Sequence, residues 1–426
     1  MPRPEPDHRL PQTTYSFEIE FLVAQELPGI NYSSTFDARN GPDDALPWAC
    51  PADETDPYET ILEAVKKLLV SYGQAVANCA RQVQIGHMHG PLQYLGSFPS
   101  TDATDEYWHV EPSDTAYAKR DSPQMYAWFG VRLRSPSYHS HIFVVQDMES
   151  PTDWILNVLK RGLVVHLNST CRFNVLVRPL SEDMTVVHAK KLITLVWVLE
   201  KELLERLAPN SYGRLHPHVR TLQAHSRVAG LIWHGSGEGS PPQDPLNLAV
   251  ANLHLPNLHN QELLARLQFL WRVQTFEGLA AALRETTDQA TSFAIRPTGG
   301  PFGTPVFEFR YALWHPFGQL DASKHWIELA SKLLQTSLWN CQVFEKNIVL
   351  LDGMTHGFAG SNVPPTVRWR RLMSTLGLES WVDSWEIIIS QYKDGQRLAV
   401  RSLDKQKLLH EELKADGGKG HDVNLC

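Results

Sequence analysis

Cysteine is scarce and unpatterned in this chain: five residues in 426, at positions 50, 79, 171, 341 and 426, with no Cys-x-x-Cys spacing. An odd, scattered set argues against a disulfide framework and against a cysteine zinc site, and a reducing, cytoplasmic compartment fits best. Long apolar runs are missing too. The uncharged stretch 192–199 is eight residues between Lys191 and Glu200, whereas a membrane helix needs about 20. The start of the chain holds Pro2, Pro4 and Pro6 with several acidic side chains and no apolar run after a basic start, so no secretory signal is expected. Nor is there an excess of basic charge: 39 basic against 47 acidic residues leave a net charge of -8, which sets nucleic acid and anionic membrane aside as partners. The glycine-rich stretch 235–240 lacks a Gly-Lys-Ser/Thr end and runs into Pro241 and Pro242, so it reads as a loop rather than a phosphate cradle. No internal repeat or heptad array stands out.

What the chain does have is 42 % apolar and 10 % aromatic residues, enough at this length for a full hydrophobic core. Residues 1–13 are polar and proline-bearing and read as a disordered N-terminus. In 14–24, Phe17, Ile19 and Phe21 alternate with Glu18 and Glu20, which predicts a half-buried strand. Ile61, Leu62, Val65, Leu68 and Leu69 follow a 3.6-residue period and Gly73 ends it, predicting a helix over 58–72. Further strands are expected at 107–110, 126–133, 173–177 and 305–311. Helices are expected at 152–163, 185–207, 260–274, 276–285, 322–341, 365–376 and 381–392. Residues 208–258 read as a loop excursion and 401–426 as a loose tail flanking one domain over 14–400. Strands that alternate and are separated by helices predict an α+β fold: a curved, mostly antiparallel sheet of about six strands, helices on one face and an open cleft on the other.

Candidate chemistry sits on the alternating strands. Glu18 and Glu20 at i and i+2 leave the same strand face with Cα atoms about 6.5–7 Å apart, a spacing that suits either a solvated face or a bound cation. Glu308 and Arg310 repeat the pattern, with Phe307, Phe309 and Tyr311 on the opposite face. Three His-x-His pairs (87/89, 139/141, 216/218) exceed only slightly the roughly one pair that 19 histidines produce by chance. Ser135 and Ser169 lack a nucleophile-elbow context, and Cys171 reads as an inert buried thiol.

Five short motifs occur in one order: Tyr15-Ser-Phe-Glu-Ile-Glu-Phe-Leu, Trp108-His-Val, Gly130-Val-Arg-Leu-Arg-Ser-Pro136, Asn168-Ser-Thr-Cys-Arg-Phe-Asn-Val-Leu-Val177, and Phe307-Glu-Phe-Arg310 followed by Gly318-Gln-Leu-Asp321. Together they resemble the amidoligase family, common in fungi, of the glutamine synthetase and glutamate-cysteine ligase superfamily. The resemblance implies a glutamine synthetase-like sheet and an ATP-dependent ligase that joins a small carboxylate to an amine or ammonia through an acyl phosphate. It implies ATP and Mg²⁺ as cofactors, Glu18, Glu20 and Glu308 as metal ligands and Glu308 and Arg310 as catalytic residues; a ligase with a rebuilt site would use Arg132, Arg134 and Asn174 as substrate or nucleotide contacts. Hard oxygen ligands of this kind suit magnesium and the transferring phosphoryl group.

The departures cut the other way. Arg132 stands where the family has a glutamate, Asn174 and Leu176 where it has two histidines, and Ser113 where an acidic residue is expected near Glu111 and Asp114. A site stripped of those ligands and given a positive charge binds divalent cations less well. Two readings therefore stand: a ligase with a rebuilt metal site, or a silent or repurposed member acting in binding or scaffolding. Both expect the three glutamates to converge on one concave face, with Arg132 pairing near Glu18 and Glu20.

Overall fold

The computed structural model describes residues 11–30, 47–79, 82–85, 93–95, 106–120, 122–139, 150–168, 170–180, 184–211, 214–215, 218–230, 255, 258–287, 289–296, 304–314, 322–359, 362–393 and 408–410. His87, His89, His141, His216, Ser169, the 235–240 stretch and the Gly318 to Asp321 motif lie outside these residues.

The strands are β1 (Thr13–Glu26), β2 (Val76–Cys79), β3 (Gln82–Ile85), β4 (Gln93–Leu95), β5 (Trp108–Pro112), β6 (Tyr126–Arg134), β7 (Tyr138–His139), β8 (Val165–Leu167), β9 (Arg172–Pro179), β10 (Asn210–Ser211), β11 (Arg214–Leu215), β12 (Phe293–Arg296), β13 (Val306–Leu313) and β14 (Leu408–His410). The helices are α1 (Pro57–Ser71), α2 (Pro151–Gly162), α3 (Val186–Leu199), α4 (Leu222–His225), α5 (Gln261–Arg272), α6 (Phe276–Leu283), α7 (Ala322–Ser337), α8 (Cys341–Ala359), α9 (Pro365–Thr375) and α10 (Val382–Lys393).

The fold is α+β, with a mostly antiparallel open sheet. Its hydrogen-bonded path has nine strands, β12-β13-β9-β1-β6-β5-β2-β3-β4, with β7, β8 and β14 pairing off it, rather than the six strands expected. The extra strands are short: β2, β3, β4 and β12 have three or four residues each, too few to show an alternation in sequence. Among the described residues, β2 pairs with β5 and β14 with β8 in parallel, and two isolated parallel bridges join Gln25 to Cys50 and Trp48 to Leu163. The 208–258 stretch contributes β10, β11 and α4, and within 401–426 the residues of β14 extend the sheet beside β8.

Alternation along the central strands separates two faces. Phe17, Ile19 and Phe21 of β1, Phe173, Val175 and Val177 of β9, and Phe307 and Phe309 of β13 enter one core. Helix α7 packs on β1, β9 and β13, α1 packs on β5 and β6, and α3 forms a second layer against α7 and α8. Helix starts follow local chemistry. Asp56 and Ser150 accept the N–H groups of Glu59 and Asp153 just before prolines at the first position of α1 and α2. The described residues contain no helix long and apolar enough to cross a membrane.

Buried polar groups of α3 tie three other elements to it. The Lys190 ammonium donates to the Trp271 carbonyl at the end of α5 (2.6 Å), and Lys191 donates to the Trp339 carbonyl just beyond α7 (2.7 Å). Each satisfies a terminal carbonyl and opposes the helix dipole. The chain then continues as a π-helical turn, Glu200–Leu204, so the expected 185–207 helix is three pieces. Glu200 has no exposed surface; its carboxylate accepts the Leu222 and Gln223 N–H groups that open α4 and the hydroxyl of Tyr311 from β13. Burial pushes its pKa up to about 7 against those hydrogen bonds.

A carboxyl raised in the folded state holds its proton more tightly there than in the unfolded chain. Its contribution is full below about pH 4.5 and is lost as pH rises to about 7. Relative to Glu200→Gln, the native chain should therefore lose unfolding free energy between pH 5 and 7.5 in urea titrations. Parallel pH profiles for the two proteins would show that Glu200 takes up no proton.

Candidate functional site

Strand register brings the sequence-predicted side chains onto one face. In β1, Glu18 lies opposite Arg134 of β6 on one side and Asn174 of β9 on the other, and Glu20 lies opposite Arg132. In β13, Glu308 lies opposite Leu176 of β9 and Ala294 of β12. All share the phase of Glu18 because side chains alternate with period two.

The link between the carboxylates is Arg296, at the end of β12. Its Nη1 and Nη2 donate to Oε1 and Oε2 of Glu18 at 2.7 and 2.9 Å, while Nε and Nη2 donate to Oε2 and Oε1 of Glu308 at 2.8 and 2.6 Å. One guanidinium thus makes two forked pairs. Arg310 adds a second cation on Glu308, from Nη2 to Oε2 at 2.6 Å, and Asn174 Nδ2 donates to Glu18 Oε2 at 3.4 Å. Strands β12 and β1 are three spacings apart in the sheet, about 14 Å on a flat surface. A long arginine and a glutamate side chain joined by hydrogen bonds bridge this distance over β13 and β9.

Glu20 belongs to a neighbouring cluster. Its Oε1 accepts the Thr115 hydroxyl at 2.6 Å and two N–H groups of Arg132 at 3.2 and 3.3 Å. Thr115 is delivered by a turn that lies against β6 at Gly130, where a Cβ would stand 2.3 Å from the Ala116 carbonyl oxygen and 2.5 Å from that of Ser113. Glycine is thus required for close approach. Ser113 holds the same turn by accepting the N–H groups of Thr115 and Ala116, while Glu111 and Asp114 are exposed.

Burial is far deeper than the open cleft expected. Glu18, Glu20 and Glu308 are 4 %, 2 % and 0 % exposed, because guanidinium groups fill the space above them. The strand expected to be half-buried is consequently buried on both faces over most of its length. Burial would raise the Glu308 pKa, yet Arg296 and Arg310 outweigh it and hold the carboxyl at about 2. Burial likewise opposes the Arg296 charge, and the Glu308 and Glu18 carboxylates overcome it and raise its pKa.

These donors do not fit a magnesium site. All four oxygens of Glu18 and Glu308 are taken by arginine N–H groups, and a second cation stands on Glu308. No group of three or more His, Cys, Asp or Glu side chains placed to hold a metal occurs among the described residues. What the face offers instead is a cavity of about 210 Å³ beside it, lined by Ala280, Leu283 and Arg284 together with Arg296, Glu308 and Arg310. Three guanidiniums against one carboxylate make its wall complementary to an anion.

No family model, curated protein or solved structure matches this chain. The amidoligase resemblance therefore rests on the five motifs alone.

Two substitutions test the architecture. Arg296→Met leaves buried Glu18 without its cation and Glu308 with Arg310 alone, and should cost about 3–5 kcal/mol at pH 7. The deficit should shrink as pH falls through about 4.5, because a carboxylate freed of arginine takes up a proton readily while native Glu308 resists to about 2. A pH-independent deficit in urea unfolding would contradict the pairing. Gly130→Ala should cost about 1–3 kcal/mol, with an unchanged thermal midpoint counting against close approach of the Thr115 turn.

Proposed function

We propose that the chain is a metal-independent binding protein for a small anionic ligand, built on an amidoligase-like, glutamine synthetase-like sheet that has lost metal-dependent ligase chemistry. One observation carries this reading: Arg296 occupies the space between Glu18 and Glu308 with a cation that cannot dissociate. A magnesium ion entering there would have to displace a doubly forked guanidinium and face Arg310 as well, with like charges repelling it.

The residues expected to perform catalysis become recognition groups. Arg310 and Arg296 line the 210 Å³ cavity; Arg296 is committed to Glu18 and Glu308, and Arg310 is the guanidinium whose remaining N–H groups suit carboxylate or phosphate oxygens. Glu308, fully ionised between them, fixes their orientation rather than anchoring a metal. The alanine and leucine walls from α6 add room for a small apolar body. Cys50, Cys171 and Cys341 as thiols rather than disulfides suit a reducing, cytoplasmic setting.

The ATP-dependent ligase reading makes opposite demands, and a phosphate-release screen across amino acids, ammonia and small carboxylic acids separates the two. The expected outcome is no turnover with ATP and Mg²⁺, together with saturable binding of small anions that is the same in Mg²⁺ and in EDTA. Phosphate release that depends on Mg²⁺ and is lost in Glu308→Gln would overturn the proposal in favour of the ligase.

A further inference from the structure

Four buried polar atoms on three adjacent strands of the polar face have no partner: Glu20 Oε2 on β1, Arg172 Nε and Asn174 Oδ1 on β9, and Arg310 Nε on β13. Asn174 sits opposite Glu18, and the β1–β9 register ends with Ile19 opposite Phe173; Glu20 and Arg172 follow next on their strands, and the Glu20 charge acts on Arg172. Arg310 lies in the irregularity of β13 between Phe309 and Ala312, alongside Val175 and Phe173 of β9. Buried polar groups are almost always satisfied, so a cluster of four points to something missing from the protein's own atoms.

The cluster is also unbalanced in charge. Arg132, Arg172, Arg296 and Arg310, with Arg134 opposite Glu18, share the face with the buried carboxylates of Glu18, Glu20 and Glu308, so the arginines outnumber the buried carboxylates. Arg172 is the odd member: half-buried, it makes no hydrogen bond or ion pair with its guanidinium among the described residues. Burial lowers its pKa, Glu20 counteracts this, and the neighbouring Arg310 and Arg132 charges lower it further.

Donors and acceptors are both unsatisfied. The two arginine Nε–H groups call for an oxyanion. Glu20 Oε2 and Asn174 Oδ1 call for a donor, and the Asn174 amide is oriented by its Nδ2 contact with Glu18, so its oxygen faces away as an acceptor. A phosphate group supplies both from one centre, since with a second pKa near 6 for esters it still carries a P–O–H for part of the time at neutral pH. Sulfate and simple carboxylates supply acceptors only.

Building on the proposed anion-binding role, we propose that Glu20, Arg172, Asn174 and Arg310 form a metal-free site for a protonated phosphate group. The group is either inorganic phosphate or the terminus of a phosphomonoester. Arg310 also lines the neighbouring cavity, which places room for an ester's organic part next to the phosphate.

Isothermal titration of the full chain in EDTA, in buffer free of phosphate, tests this with inorganic phosphate, sulfate, glycerol phosphate and glycine. Phosphate should bind saturably at millimolar concentrations or below, and sulfate should bind at least about tenfold more weakly, because its oxygens meet Glu20 without a proton. Tighter binding of glycerol phosphate than of inorganic phosphate identifies the ester as the ligand, and the reverse order identifies the free ion; either supports the site. Arg172→Met should weaken phosphate about tenfold or more with an unchanged circular dichroism spectrum; should it misfold, Arg172→Lys, which lacks the Nε–H, replaces it. Glu20→Gln should bring sulfate up to phosphate. Equal binding of sulfate and phosphate by the native chain, glycine binding without phosphate binding, or phosphate binding indifferent to Arg172 would overturn the site. None of those results touches the proposed function, which fails through magnesium-dependent ATP turnover or through the absence of saturable binding of any of the small anions.

Discussion

Everything on the polar face follows from one constraint: Glu308 has no exposed surface and is nevertheless ionised. Removing a carboxylate from water costs several kcal/mol, and only close, well-directed cations offset it. Arg296 and Arg310 meet that demand, and Arg296 meets it for Glu18 at the same time. Arg296 thereby ties the edge hairpin of β12 and β13 to β1 across β9, and the cavity lies at that edge, lined in part by Arg296, Glu308 and Arg310.

Strand β13 carries the constraint through the sheet. Glu308 and Arg310 face the arginine cluster, while Tyr311 on the opposite face donates to Glu200 below. Glu200 in turn holds the start of α4, and Lys190 and Lys191 of the same helical run hold the ends of α5 and α7. The helix layer is thus pinned by hydrogen bonds with charged groups as well as by apolar packing. Such bonds are directional where hydrophobic contacts are not, so β13 has a fixed place above the helices from which its arginine can be aimed.

Most long elements were legible because they obey a period. The alternation of Phe17, Ile19 and Phe21 and the 3.6 spacing of Ile61, Val65 and Leu69 lie within a residue or two of the strand and helix that form. Three things were not legible. Helix α8 runs for 19 residues past the expected helix end at 341, and its only start signal is Asn340, whose side chain accepts the Val343 N–H. Strand β12 alternates Phe293 and Ile295 with Ala294 and Arg296 but is four residues long. With that strand unread, its arginine was unread too, and the carboxylates were expected to await a metal or Arg132. Arg172 lay within a recognised stretch, but nothing local marks an arginine whose cross-strand partner in β13 is Leu313 and whose nearest acting carboxylate, Glu20, comes from β1.

That last point separates motif from chemistry. The Glu-x-Glu and Glu-Phe-Arg strands keep their spacing because spacing decides which face a side chain occupies, and a sheet can preserve it after the occupant of the face has changed. A divalent ion and a guanidinium both neutralise carboxylates, but they differ in what they leave over. A metal retains exchangeable positions for water and phosphate oxygens. A guanidinium forked between Glu18 and Glu308 has its hydrogen-bonding edges committed and is tethered to β12, so it can orient neighbours but can exchange nothing. The remaining capacity moves to Arg172, Arg310, Glu20 and Asn174, whose free atoms surround the committed centre. On the proposed reading, a side chain standing where an ion would sit suits the face to recognition rather than to transfer.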